Sequence, residues 1–252
     1  MSKSYRKHFS DESKATEYDR VHYGEGSYSE ILWNIEQGQL NAILEEFRQT
    51  HDQISYLDFA AGTGRIIALM ENKVDAATGI EISQSMIDRA RGRLRKANMI
   101  CADITQPGSE VEGKYDMITA FRFILNAEPA LRLAGLRALA ARLKDETSIL
   151  VFNNHGNLYS HKLLFWPFHK LRFLGTSYSP EGNYLTNHQV RRIANQAGLQ
   201  VIRIVGCGML GGKSSRLFGN HFVARAEERL SHLRLLRPLA GNQMYVARLK
   251  PR

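Results

Sequence analysis

The chain has 252 residues, of which 43% are hydrophobic and 23% charged, and these proportions exclude a disordered or fibrous protein. They allow one sizeable α/β domain with elaborations. The formal net charge is +9, and ten basic residues against two acidic ones follow residue 200. This asymmetry indicates either an anionic partner, such as phosphate, RNA or acidic lipid headgroups, or a solvated basic face.

The first residues are too polar for a signal-peptide core, and no window approaches the roughly 20 apolar residues that cross a bilayer. The only cysteines, Cys101 and Cys207, have no metal-ligand spacing. Neither a disulfide framework nor a metal site is expected from them. We therefore expect a cytoplasmic protein with no transmembrane segment.

Hydrophobic periodicity predicts an N-terminal helical cap followed by alternating strands and helices. Apolar residues from Leu32 to Phe47 recur at helical spacing, which predicts an amphipathic helix within a cap segment of residues 1–50. The predicted strands are residues 54–57, 77–80, 99–102, 115–120, 148–153, 199–205 and 244–249. The predicted helices are residues 65–71, 84–94 with Ser83 as N-cap, 130–143, 185–197 and about 222–236.

This alternation is typical of a largely parallel sheet that is covered by helices on both faces. Ligands of such sheets bind at the carboxyl ends of the strands. The pattern loosens in two places, which predicts insertions near residues 156–183 and 207–241 within a domain of residues 51–252. The first insertion is apolar and aromatic, and the second is basic.

The turn after the first strand is the most informative segment. Gly62 and Gly64 allow a tight turn and a close approach of the backbone to a ligand. A dinucleotide site would want a third glycine at position 67, where the residue is Ile67. Asp58 at the mouth of the turn would repel a pyrophosphate but suits a ligand with an ammonium and a sulfonium group.

Two more acids follow the next two predicted strands. Glu81 lies roughly 20 residues after the glycines, where a carboxylate accepts hydrogen bonds from both ribose hydroxyls. Asp103 follows the third strand, where a carboxylate can accept from the adenine amino group. Alone, each acid is as readily a cap or a surface charge, but the series of three is far more specific than any member.

Residues 54–153 resemble the class I S-adenosylmethionine-dependent methyltransferases. Their glycine motif is similar to residues 58–65, with Ala60 where glycine is usual, and residues 79–83, 102–104 and 115–121 match their later motifs. The resemblance implies a Rossmann-like, doubly wound sheet of seven mostly parallel strands with an antiparallel last strand, and S-adenosyl-L-methionine as cofactor. The residues that it assigns to the cofactor are Asp58, Phe59, Ala60, Gly62, Gly64, Arg65, Glu81, Ile82, Met86, Asp103, Ile104 and Phe121.

Methyl transfer from a sulfonium is an in-line displacement, so the protein chiefly aligns donor and acceptor and excludes water. An alcohol acceptor also needs a base, and His155 follows the fifth strand beside the expected cleft. Arg122, after the fourth strand, could bind an acceptor carboxylate or phosphate. A loop-stabilising histidine and an ion-paired arginine are equally simple interpretations.

The insertions together suit an anionic or amphipathic acceptor, namely a phosphorylated sugar, a lipid-linked saccharide or a small acid. We expect O-methylation of such a molecule. A first alternative, from the basic sequence, is RNA methylation, although no RNA-binding module is visible. A second alternative is a non-catalytic cofactor-binding or membrane-surface protein, with residues 163–174 lying on anionic lipid.

Overall fold

The computed structural model describes residues 26–106, 111–164 and 184–251. The strands are β1 Ser55–Phe59, β2 Ala76–Glu81, β3 Asn98–Cys101, β4 Met117–Ala120, β5 Ile149–Asn154, β6 Leu199–Cys207 and β7 Asn242–Leu249. The α-helices are α1 Tyr28–Arg48, α2 Arg65–Met70, α3 Gln84–Arg91, α4 Pro129–Ala140, α5 Asn187–Gln196, α6 Lys213–Phe218 and α7 Asn220–His232. Short 3₁₀ helices cover His161–Leu164 and Arg234–Leu239.

The seven strands form one sheet in the order β3-β2-β1-β4-β5-β7-β6. Strands β1 to β5 pair in parallel, and β7 is antiparallel to both β5 and β6. Strand β6 therefore runs in the same direction as β5, so that the carboxyl ends of six strands meet at one edge. The strand order reverses between β1 and β4, and the crevice outside such a reversal is where open α/β sheets bind ligands. The predicted Rossmann-like fold is confirmed.

Two hydrophobic clusters cover the two faces of the sheet. The first includes Leu57, Ile80 and Leu150 and is completed by α4 and α5. The second includes Tyr56, Met117 and Val151 and is covered by α1 and α2. Successive strand residues point to opposite faces, which is why Tyr56 and Leu57 belong to different clusters.

Helix α1 begins at Tyr28 because the Ser27 hydroxyl caps the backbone N–H of Glu30 at 3.1 Å. Its buried residues are Ile31, Glu36, Leu40, Ile43, Leu44 and Phe47. The predicted apolar face is confirmed from Leu40 to Phe47, whereas the predicted Leu32 and Ile35 are only half-buried. The helix lies against β6 and the second cluster. Residues 1–25 of the predicted cap lie outside the described residues.

Helix boundaries differ from the sequence predictions where local capping decides them. Helix α3 ends at Arg91, short of the predicted residue 94, with Gly92 at its C-cap. Helix α5 begins at Asn187 instead of residue 185, because Thr186 and Gln189 form a capping box. The predicted helix over 222–236 is wrong in extent: α7 ends at His232 and a 3₁₀ helix with Pro238 follows.

The second predicted insertion contains α6 and α7, and α6 was not predicted. Several large apolar side chains there are exposed, among them Leu217 and Phe222. The first insertion lies mostly outside the described residues, and so does most of the 163–174 segment of the lipid-surface alternative. In the described part of the chain, no helix is long and apolar enough to cross a membrane.

Candidate cofactor and acceptor site

The turn between β1 and α2 has a left-handed backbone at three positions. The φ angles are +55° at Ala60, +56° at Gly62 and +80° at Gly64. The Ala61 N–H donates to the Ile80 carbonyl at 3.1 Å, which ties the turn to the end of β2. Ala60, which stands where the resemblance expects glycine, thus adopts a conformation that favours glycine.

Gly64 also permits close packing between the turn and α3. A Cβ atom at this position would lie 2.8 Å from the Cβ of Ala90 and 3.1 Å from its Cα. Such distances are too short for carbon atoms, so glycine is required here by both backbone angle and space. The sequence predicted a tight turn at Gly64, and the structure adds its close packing against α3.

Glu81 lies at the end of β2 with 5% of its surface exposed. Its Oε2 atom accepts the Gly62 N–H at 2.8 Å, and its Oε1 atom accepts those of Ile82 at 2.8 Å and Ser83 at 3.1 Å. Burial raises the pKa of this carboxyl, and the three N–H groups act in the opposite direction. The carboxylate is thereby fixed in one orientation directly beside the glycine turn.

A pocket opens above the ends of β1, β2 and β3. Its lining residues are Phe59, Ala60, Ile80, Glu81, Ile82, Ala102, Asp103, Thr105, Phe123 and Leu131. Five of these are predicted cofactor residues, and they come from three separate strand ends. Among the described lining residues there are two carboxylates and no lysine or arginine, so these residues offer no positive charge to a phosphate group.

Asp103 is held at the rim of this pocket by Thr105. Its Oδ1 atom accepts the Thr105 N–H at 2.9 Å and the Thr105 hydroxyl at 2.5 Å. This is a short loop in which an aspartate binds the backbone two residues later. Phe123 closes the opposite side, with its ring 4.9 Å from that of Phe59 at an angle of 78°.

Asp58 lies beneath the turn and is not a lining residue of this pocket. Only 1% of its surface is exposed, and its Oδ1 atom accepts the Thr119 hydroxyl at 2.7 Å. The Thr119 hydroxyl also hydrogen-bonds the buried Tyr56 hydroxyl. The Oδ2 atom of Asp58 is buried without a hydrogen-bond partner in the protein.

This environment disfavours the charged form of Asp58. Burial raises its pKa from 3.8 to about 7, while the bond from Thr119 acts to lower it. The charged form of Asp58 is therefore unfavourable unless a positive group lies nearby. The predicted carboxylate for a cationic ligand is present, but below the surface of the turn.

The remaining predicted cofactor residues support the site from behind. Met86 is 3% exposed, and its sulfur would lie 3.8 Å from a Cβ placed on Gly62. Ile104 and Phe121 belong to the two core clusters on opposite faces of the sheet. The Arg65 guanidinium lies 4.0 Å above the Trp33 ring, which joins α2 to α1 by a cation–π contact.

Arg122 follows β4 and has a φ of +57°. Ala60 and Arg122 are the only non-glycine residues of the described chain with positive φ, and they follow the two adjacent strands where the sheet order reverses. The Arg122 N–H donates to Asn153 Oδ1 at 2.6 Å, and its carbonyl accepts from Asn126 at 2.7 Å. Strained backbone held in this way is a feature of functional sites.

His155 follows β5 and is half-buried, and its Nδ1 atom is fully shielded from solvent. The neighbouring Asn154 fixes this strand end, because its amide donates to the Leu185 carbonyl at 2.9 Å and its Oδ1 accepts the Gly156 N–H at 3.2 Å. Arg122 and His155 therefore follow two adjacent strands, and Arg122 follows the strand that pairs with β1.

Sequence reasoning missed a buried polar cluster that Asn153 links to the backbone of Arg122. Glu36 of α1 accepts from Asn242 at 2.6 Å and from Asn153 at 3.4 Å. Cys207 lies near this cluster, where it interacts electrostatically with Glu36 and Arg122. A glutamate on the apolar face of the predicted first helix was the available signal, but its partners are more than 100 positions away in sequence.

The residues of the pocket fit S-adenosylmethionine better than a dinucleotide. A fixed carboxylate for ribose hydroxyls, a second at the rim and apolar walls match an adenosine group without phosphate. The close packing that Gly64 allows against Ala90 and the buried Asp58 complete a site of the kind that the resemblance implies.

Comparison with known proteins agrees with this geometry. Residues 57–146 match the family model of a methyltransferase domain. The matched segment holds the glycine turn, Glu81 and Asp103, and it lies within the residues that resemble the class I S-adenosylmethionine-dependent methyltransferases. No curated protein sequence matches it.

Solved structures show the same fold over nearly the whole chain. A magnesium protoporphyrin IX methyltransferase from Synechocystis, with bound S-adenosylhomocysteine, has 14% identity and a TM-score of 0.62, with 98% of this chain and 100% of that chain covered. A methyltransferase from Clostridium acetobutylicum has 14% identity, a TM-score of 0.61 and coverages of 95% and 98%. A methyltransferase of Haloferax volcanii in complex with the activator Trm112 has 12% identity, a TM-score of 0.58 and full coverage of both chains.

Proposed function

We propose that this methyltransferase moves the methyl group of S-adenosylmethionine to an oxygen atom of a small anionic or saccharide-type acceptor. One observation carries the proposal. A pocket with two carboxylates, suited to a nucleoside without phosphate, lies at the same edge of the sheet as an arginine and a histidine. The pocket lies above β1 to β3, and Arg122 and His155 follow β4 and β5.

Glu81 would hold the ribose of the cofactor. Its Oε2 atom accepts a single backbone N–H, so it has capacity for a further hydrogen bond from a ribose hydroxyl. Asp103 would accept from the adenine amino group, and Phe59 and Ile82 would provide apolar contact for the purine. Asp58 would lie under the methionine part, where a positive ammonium group would lower its pKa and favour its charged form.

The cofactor supplies an activated methyl group on a positively charged sulfur. The protein's part is to place the acceptor oxygen in line with that methyl group and to exclude water. Asn153 and Asn126 hold the strained backbone of Arg122, so the point at which its side chain is attached would be fixed beside the cleft. It would bind the acidic group of the acceptor as a bidentate fork.

His155 would remove the proton from the acceptor hydroxyl. Its Nδ1 atom is shielded, so Nε2 is the nitrogen that could face an acceptor in the cleft. The cap segment of residues 1–50 and the insertions near 156–183 and 207–241 would supply the outer walls of the acceptor site, within one domain of residues 51–252.

The test is to incubate the purified protein with methyl-labelled cofactor and with fractionated cell extract, and to ask whether label enters small acids, saccharides, lipid, RNA or protein. His155→Ala should lower turnover at least 100-fold with unchanged affinity for S-adenosylhomocysteine. His188→Ala, at an exposed position of α5, is the matched control. Near-normal turnover of His155→Ala would remove the base from the proposal.

Arg122→Lys should raise the KM for the acceptor about 10-fold or more and leave cofactor affinity unchanged, because lysine cannot form the planar fork. Arg137→Lys on the exposed side of α4 is the control. Unchanged kinetics would exclude Arg122 from acceptor binding. Label that enters RNA or protein alone would contradict a small-molecule acceptor.

A further inference from the structure

A second cavity lies at the opposite end of the molecule, between α1, β6 and α7. Its volume is about 410 Å³, within the range of small-molecule sites. The sheet order places five strand spacings between β2, which carries Glu81, and β6, which lines this cavity. At about 4.8 Å per spacing the two sites are roughly 24 Å apart across the sheet, too far for one small ligand to occupy both.

The walls of this cavity combine apolar and basic side chains. Ile35 and Ala42 of α1, Val205 of β6 and Ala224 of α7 supply apolar surface, whereas Arg203 and Arg237 supply positive charge. A site with one apolar side and one cationic end is chemically suited to an amphipathic anion.

The positive charge at this end is only partly balanced. Arg203 forms an ion pair with the exposed Glu46, and Glu228 lies on the cavity wall. Burial lowers the pKa of Arg237 below its ordinary value, and the positive charges of Arg234 and Arg203 lower it further. An additional anion would relieve this repulsion.

Two buried polar atoms here have no hydrogen-bond partner in the protein. One is Nε of Arg237, whose other nitrogen donates to the Ile204 carbonyl at 3.2 Å. The other is Oε1 of Gln39, whose amide nitrogen donates to the Gly206 carbonyl at 3.1 Å. Both residues line the cavity, so these two bonds to backbone carbonyls of β6 fix the Gln39 and Arg237 side chains at its wall.

We propose that the cavity between α1, β6 and α7 is a second ligand site, separate from the methyl-transfer site, which binds a small anion with a short apolar body. The anionic group pairs with Arg237 and Arg203, and the apolar body lies between Ile35 and Ala224. A carboxylate and a phosphate monoester both match a guanidinium fork, so the shared chemistry is an oxyanion on an apolar chain. This site does not depend on the identity of the methyl acceptor.

Gly38 provides a way to close the cavity. It lies on the cavity wall in the middle of α1, and a Cβ added there meets no atom within 4 Å. Gly38→Leu should therefore fill part of the cavity without disturbing the packing. Gly38→Ala is its matched control, since it changes the backbone preference in the same direction but adds only one carbon.

The experiment is calorimetric titration of the protein, saturated with S-adenosylhomocysteine, with octanoate, octyl phosphate, octanol and acetate. We expect octanoate or octyl phosphate to bind at least 10-fold more tightly than octanol and acetate, and the stronger of the two identifies the class of oxyanion. Arg237→Gln and Gly38→Leu should each weaken that binding at least 10-fold. Gly38→Ala and Arg191→Gln should not; Arg191 also donates to a β6 carbonyl, that of Val201, but does not line the cavity.

Binding of octanol as tight as that of the two anions, or full binding by Arg237→Gln and Gly38→Leu, would overturn the proposal. Absence of binding by every probe would do the same. Affinity for S-adenosylhomocysteine should be equal in all these variants, and this separates the result from any failure of the proposed methyl-transfer function.

Discussion

Neutralising Asp58 should make the protein more stable at alkaline pH and impair its binding of a cationic cofactor. The folded-state pKa of about 7 lies above the ordinary 3.8, so the folded chain holds a proton that the unfolded chain has released between those values. The stabilisation from that proton is complete below about pH 3.8 and is lost as the pH rises through about 7. The difference between the folded and unfolded pKa values corresponds to about 4 kcal/mol of unfolding free energy.

Between pH 5 and pH 8 the wild type should lose about 2.5 kcal/mol of unfolding free energy through this group. Asp58→Asn preserves the size of the side chain and carries no charge, so it should lack that loss. Urea unfolding at several pH values, compared between the two proteins, measures the difference directly. Asp52→Asn, at an exposed position, is the control and should follow the wild type.

Parallel stability curves for wild type and Asp58→Asn across pH 5 to 8 would refute this reasoning.

Calorimetry tests the effect of the same substitution on cofactor binding. Asp58→Asn should bind S-adenosylmethionine at least 10-fold more weakly at pH 8, because the negative charge buried beneath the turn, which would attract the positive groups of the cofactor, is gone. Equal affinity would show that Asp58 has no electrostatic role towards the cofactor.

Three backbone substitutions test the geometry of the turn and of α1 by urea unfolding. Ala60→Gly should stabilise the protein by about 0.5–1 kcal/mol because φ at this position is +55°. Ala61→Gly, the control, should destabilise it. Stability changes of the same sign in both variants would contradict backbone strain at Ala60. Gly64→Ala should cost about 2–3 kcal/mol because of the contact with Ala90, against about 1 kcal/mol for Gly198→Ala, which has φ of +83° but open space; equal costs would mean that the contact is unimportant. Gly38→Ala should add about 1 kcal/mol through helix propensity, and a loss of stability would argue against the open space there.

The sequence predicted the sheet and the pocket because both depend on local patterns. Glu81 and Asp103 each follow a short apolar run, and the ends of parallel strands meet at one edge. Gly64 was found for the same reason, since a glycine directly after a strand indicates a tight turn. The strand positions agree with the prediction to within a few residues.

What was missed depends on contacts between distant parts of the chain. Asp58 was expected to face the ligand, but every residue of β1 except Ser55 is buried, so polarity gave no indication of its direction. Its partner Thr119 is set by the register in which β1 pairs with β4. The predicted 222–236 helix breaks at Leu233, and Pro238 lies in the 3₁₀ helix that follows. Pro238 was a signal in the sequence that could have shortened this prediction.

The central claim is that two fixed carboxylates, with no lysine or arginine among the described lining residues of the pocket, select a phosphate-free nucleoside. Calorimetric titration of the purified protein with S-adenosylhomocysteine and with NAD tests it most directly. The structure predicts tight binding of S-adenosylhomocysteine, loss of at least 100-fold in affinity with Glu81→Ala, and no binding of NAD. Tight binding of NAD without binding of S-adenosylhomocysteine would contradict the claim.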